Sequence, residues 1–158
     1  MAVFIWGRPR FTADVDIIIE LRREDLGNLQ NALRDLSKAG YVDKEMMKEA
    51  FARRGEFNFI DGDTGIKVDF WVAKGDDLAK QEFSRKIPKK IKNRMIYFIS
   101  PEDLILRKLL WDKSMPSTKQ LEDAESILKI SGDKLDMKYL DEWARKTDVF
   151  ETLQGLKR

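Results

Sequence analysis

Residues 14–20, Asp-Val-Asp-Ile-Ile-Ile-Glu, constrain this chain more than any other stretch. The run is β-branched and nearly continuous, which predicts a buried strand. Successive strand side chains alternate faces, so Asp14 and Asp16 project from one side while Val15 and Ile17 point the other way. Two like charges side by side repel, and burying them uncompensated is expensive. A hard divalent cation, which takes oxygen ligands, is the simplest compensation. The pattern therefore predicts phosphate chemistry assisted by magnesium. Just ahead lies a glycine loop with Gly7, Arg8 and Arg10. Glycine permits close backbone approach to a phosphate, and the arginines supply charge to neutralise it.

Composition narrows the chemistry. The chain has 158 residues, no histidine and no cysteine. A histidine base, a histidine-dependent triad, histidine metal ligands, thiolate zinc sites and disulfides are excluded, so oxygen must hold any metal. Net charge is only +2, so no global basic field argues for nucleic acid. A hydrophobic content of 42% beside 37% charged residues suits a soluble globular chain, expected to be cytoplasmic. No run is long enough to cross a membrane, and the start lacks the features of a signal peptide.

Periodicity predicts an α/β (α+β) chain. Leu26, Leu29, Leu33 and Leu36 form one stripe of a helix over 23–39, with Gly40 as its stop. A second helix is predicted over 44–54 behind an Asp43 cap. FNFI (57–60) and IKVDFWV (66–72) flank the turn-rich DGDTG and read as a hairpin. A short helix over 76–84 precedes the basic run 85–94 and a strand over 95–99. Ser100-Pro101-Glu102-Asp103 is a helix start. Further helices are predicted to about 112 and over 119–130, 137–146 and 148–155. The expected division is an α/β core over 1–99 and a helical part over 100–158.

Asp69 sits mid-strand between apolar neighbours, sharing a face with Lys67 and Trp71. If the 14–20 and 66–72 strands are adjacent, Asp14, Asp16 and Asp69 face one site. Nucleotidyl transfer needs such a set, with two metal ions bridging a triphosphate and the third carboxylate as base or shared ligand. Each residue also has a plainer explanation. Asp69 has Lys67 or an arginine across the hairpin as a partner, and Asp14 and Asp16 suit a solvated strand start. The basic run is an ordinary solvated face or an RNA-acceptor surface. The four tryptophans read as core. Lys119 and Asp123, four apart on a helix, read as a surface ion pair.

The segment Gly7-Arg8-Pro9-Arg10-Phe11-Thr12-Ala13-Asp14-Val15-Asp16 resembles the G-x-P-R-x-T-x-D-x-D signature of the nucleotidyltransferase (polymerase-beta-like) superfamily. It is most similar to the prokaryotic group that holds the AbiEii-type toxin nucleotidyltransferases. Asp69 in VDFW matches that group's third acidic position, and SPEDLILRKL (100–109) resembles the segment whose lysine corresponds to Lys108. KQLEDAESIL (119–128) resembles a later helix, with Gln120 where the family often has an acid.

The resemblance implies a mixed sheet flanked by helices, Mg²⁺ (two ions) and an NTP substrate. Asp14, Asp16 and Asp69 would be the catalytic and metal-holding residues. Gly7, Arg8, Arg10, Thr12 and Lys108 would meet the nucleotide phosphates. It also implies an RNA or protein acceptor and an antitoxin partner. Lys108 lies beside an apolar stripe, so snorkelling is an equal alternative. The family places a Gly-Gly or Gly-Ser pair just ahead of the segment matching AVFIWG, so the sequence is expected to begin one residue after that pair, from an internally assigned start or a truncation. That expectation keeps a non-catalytic binding or regulatory role in view. A shortened sheet would expose an edge strand for a homodimer.

Overall fold

A computed structural model describes residues 1–9 and 14–157. In chain order the elements begin with α1 (Ala2–Trp6), β1 (Asp14–Ile19), α2 (Asp25–Leu36), β2 (Tyr41–Val42) and α3 (Lys44–Arg53). Next come β3 (Glu56–Ile60), β4 (Lys67–Val72), α4 (Asp77–Ser84), β5 (Ile87–Ile91) and β6 (Arg94–Phe98). The chain finishes with α5 (Pro101–Ser114), α6 (Thr118–Ser131), a 3₁₀ turn (Gly132–Lys134), α7 (Met137–Lys146) and α8 (Phe150–Leu156). The architecture is the expected mixed α+β. Two compact units divide it. One runs to Asp76 and holds β1 to β4 with α2 and α3; the other joins α1 to everything from Asp77 onward.

The first unit is a four-stranded mixed sheet in the order β1-β4-β3-β2. β1 and β4 are parallel, and β4–β3 and β3–β2 are antiparallel. Its core lies on one face, where Phe57, Phe59, Phe70 and Val72 meet Leu33 of α2 and Met47 and Ala50 of α3. Phe57 and Phe70 are cross-strand partners, and their rings stack at 5.0 Å between centroids. Asp43 caps α3 as expected, accepting from the Glu45 and Met46 amides. The predicted α2 stripe is shorter than expected. The helix ends at Leu36, which is 72% exposed, and the stripe stops at Leu33.

The second unit is built on α5 and α6. Ile105, Leu106, Leu109, Ile127, Leu140 and Leu153 form its core. Ser100 caps α5 as the sequence predicts, accepting from the Asp103 amide at 3.1 Å. Trp6 and Trp143 pack against this core, as expected. The basic run differs from expectation. Its residues 87–91 form strand β5, paired antiparallel with β6 and exposed along most of its length. The short α1 and β2 carry too few residues to show a period in the sequence.

Candidate functional site

β1 and β4 are neighbours, which brings the predicted carboxylates to one face. The parallel register sets Asp16 directly beside Asp69 and Asp14 beside Lys67. Residues paired this way point to the same side, so Asp14, Asp16, Asp69 and Lys67 share a face with Ile18 and Trp71. The opposite face carries Val68, Phe70 and Val72 into the core, which fixes the register because a one-residue slip would bury the aspartates. β3 adds Asn58 opposite Asp69 and Glu56 opposite Trp71. Asn58 was not among the residues singled out from sequence. Its signal was the hairpin: the 61–65 turn sets Ile60 opposite Lys67, which puts residue 58 opposite 69.

The local charge balance is explicit. Asp14 and Asp16 are exposed, while the Asp69 side chain is only 15% exposed. The Lys67 ammonium spans both Asp69 oxygens, 2.8 Å from Oδ1 and 2.9 Å from Oδ2. This bond raises the Lys67 pKa above its ordinary value, against desolvation and helped by the negative field of Asp69, Asp14 and Glu56. Asp69 thus has the plain partner that its strand position allowed. The donor types fit a hard divalent cation: carboxylates from adjacent strands, on one face, with no softer ligand among them. Among the described residues, however, no three acids are drawn together as a ready-made ion cage. Asp69 becomes a ligand only if Lys67 releases it.

The remaining predicted residues lie in the second unit or outside the described residues. Arg10 and Thr12 fall outside the described residues. Gly7 is buried at the end of α1, where a Cβ would stand 2.6 Å from Ser126 Oγ and 3.0 Å from Ile127 Cγ1. Close packing against α6 therefore accounts for a glycine here. Arg8 is exposed, and its amide donates to Ser126 Oγ at 3.2 Å. Lys108 is 7% exposed, with its ammonium 3.0 Å from Asp123 and 5.1 Å from the centre of the Trp111 ring. It is a core ion-pair partner, not a side chain snorkelling at the stripe's edge. The expected surface pair of Lys119 with Asp123 is corrected with it. Asp123 is 4% exposed and turns inward to Lys108, because α6 presents that face to α5.

A second charged cluster went unpredicted. Arg85 donates to Glu102 at 3.0 Å, lies 3.5 Å from Asp103, and stacks 3.7 Å over the Tyr139 ring. The Tyr139 hydroxyl donates to Asp103 at 2.6 Å. Burial and that bond push the Tyr139 phenol far above its ordinary pKa. Arg107 grips both oxygens of buried Glu82. Two clefts of the first unit lie away from Asp14, Asp16 and Asp69, none of which lines either. One of about 420 Å³ is lined by Glu20, Arg22, Asp25 and Arg54, and a groove of about 540 Å³ runs between α2 and α3.

Compared with known proteins, the chain matches no family model. No curated protein is significantly similar to it either.

Proposed function

We propose that this chain is a Mg²⁺-dependent nucleotidyltransferase that moves a nucleoside monophosphate from an NTP to a hydroxyl of an RNA or protein acceptor. The support is one observation: the parallel register that sets Asp16 beside Asp69, with Asp14 two residues along the same face. In this reading the acceptor oxygen bonds to the α-phosphorus, the bond to the bridging oxygen breaks, and pyrophosphate leaves. Asp14, Asp16 and Asp69 would hold the metal, which would supply charge screening of the triphosphate and activation of the acceptor hydroxyl. Asp69 also receives the acceptor proton once Lys67 has let go of it. Lys67, displaced from Asp69, stays on this face as a cation within reach of phosphate oxygens. An antitoxin partner and a homodimer through the β1 edge belong to the same reading, and both rest on the family resemblance or on the unpaired edge alone.

A second reading has its own observation. Asp69 is already neutralised by Lys67, and no three acids converge among the described residues. A chain that keeps the sheet but does not turn over, acting as a binding or regulatory protein, would look like this. Incubation with α-labelled NTPs, Mg²⁺, and pools of RNA or protein separates the two. Label transfer by the parent and none by Asp16→Asn supports the transferase. No transfer by either, with nucleotide still bound, supports the regulatory role.

A further inference from the structure

The β5–β6 ribbon concentrates charge of one sign. Residues 85–99 hold six of the 30 Lys and Arg residues and none of the 28 acids, in a chain whose net charge is only +2. Arg85 turns inward onto Glu102. The other five, Lys86, Lys89, Lys90, Lys92 and Arg94, are exposed and have no carboxylate within ion-pair distance among the described residues. A surface evolved only for solubility mixes the two signs.

The register divides the ribbon into two faces. Lys89 pairs with Ile96 on one, where the Lys89 ammonium rests 4.9 Å from the Trp6 ring. Pro88–Tyr97 and Lys90–Met95 form the other. There Tyr97 is 58% exposed and Met95 56%, and the Lys86 ammonium lies 5.0 Å over the Tyr97 ring. At the tip Lys92 holds φ at +52°, a conformation that glycine or asparagine adopts at far lower cost. A cation is kept at the turn despite that cost. A two-stranded ribbon with a large exposed ring among cations also gives up apolar burial it could use for its own stability.

An exposed aromatic ring with one ammonium over it and further exposed cations along its ribbon suits one chemistry best. Phosphates take the cations and a base stacks on the ring. We infer that the Tyr97 face of the β5–β6 ribbon, with Lys86 and Lys90 and with Lys92 at its tip, is a binding surface for single-stranded nucleic acid. The contacts are to the backbone, so the surface reads little sequence. The inference goes beyond the transferase reading and does not rest on it. The carboxylate face plays no part in it.

Fluorescence anisotropy of a labelled oligouridylate with the full chain tests it. Three phosphate contacts give a log–log salt slope of about −2. Lys90→Glu with Lys92→Glu removes two contacts, so the slope becomes shallower by about 1.4 and affinity falls more than about tenfold at moderate salt. Tyr97→Ala weakens binding about tenfold and leaves the slope unchanged, a split that a merely unstable ribbon would not produce. No binding at about 50 mM salt overturns the inference. So does equal binding by the charge-reversed variant, or capture by phosphatidylserine vesicles without any binding of the oligonucleotide. All substituted positions are exposed, and melting temperatures matching the parent's confirm that the fold is kept.

Discussion

The two units treat charge in opposite ways. In the helical unit the inward-facing charges are matched. Lys108 meets Asp123, Arg107 meets Glu82, and Arg85 bridges Glu102 and Asp103. Each pair links separate elements, and several partners are almost fully buried. In the sheet unit, three aspartates share a face with one lysine, and Asp16 has no cationic partner among the described residues. Charge that stabilises a core is matched group by group, since an unmatched buried ion costs several kcal/mol. The sheet face, with Asp14 and Asp16 exposed to water, carries its charge without such burial. That contrast, more than the presence of acids, singles out the β1–β4 face.

The contrast can be broken first at its structural pole. Asp123→Ala strands the Lys108 ammonium in the core and should cost about 3–5 kcal/mol in urea unfolding. Replacing both partners, Lys108→Met with Asp123→Leu, should recover most of that loss. A cost near zero for Asp123→Ala would mean that the pair is not core charge at all. Gly7→Ala comes next, at about 1–3 kcal/mol, because its Cβ meets Ser126 and Ile127. Adding Ser126→Ala should relieve part of this. If Gly7→Ala instead leaves stability intact and weakens nucleotide binding, the glycine belongs to a phosphate loop and not to the packing of α1 on α6.

A smaller effect is expected with pH. The folded-state pKa of Tyr139 is raised above its ordinary value of about 10, first by burial and then by its bond to Asp103. Its contribution to stability is therefore complete below pH 10 and declines as pH rises from there toward the folded pKa. Denaturation midpoints measured on the alkaline side should fall with pH in the parent, and less steeply in Tyr139→Phe. The smallest change in stability is expected at Lys67→Met. The Lys67 side chain is 42% exposed, so losing the pair should cost under about 1 kcal/mol. The same substitution should tighten Mg²⁺ binding measured by calorimetry, since it removes the resident cation from Asp69. Unchanged or weaker Mg²⁺ binding would mean that Lys67 is no competitor there.

Where the chain signals local structure, sequence and structure mostly agree. The Ser100 and Asp43 caps and the turn at 61–65 form as their residues dictate. The β-branched run behind Asp14 forms a strand but not the buried one expected: none of the residues of β1 is buried and Ile17 is 38% exposed, because β1 is an edge strand of the sheet. The alternation of Lys67, Asp69 and Trp71 against Val68, Phe70 and Val72 also fixed which face the carboxylates share. Partner choice between distant elements was not legible. A lysine four residues from an acid looks like a surface pair until helix packing turns Asp123 toward Lys108. Arg85 sits in a basic run, yet its partners arrive from α5 and α7. The reason for Gly7 was likewise hidden, because a close approach to Ser126 is a property of packing and leaves no period in the sequence.

Calorimetry of NTP binding with and without Mg²⁺, on the parent and on Asp16→Asn, tests the central claim most directly. Asp16 is exposed, so its amide should leave the fold intact. The account predicts Mg²⁺-dependent binding by the parent that Asp16→Asn abolishes. Binding that ignores Mg²⁺ or survives Asp16→Asn unchanged would contradict it, as would the absence of any binding by the parent.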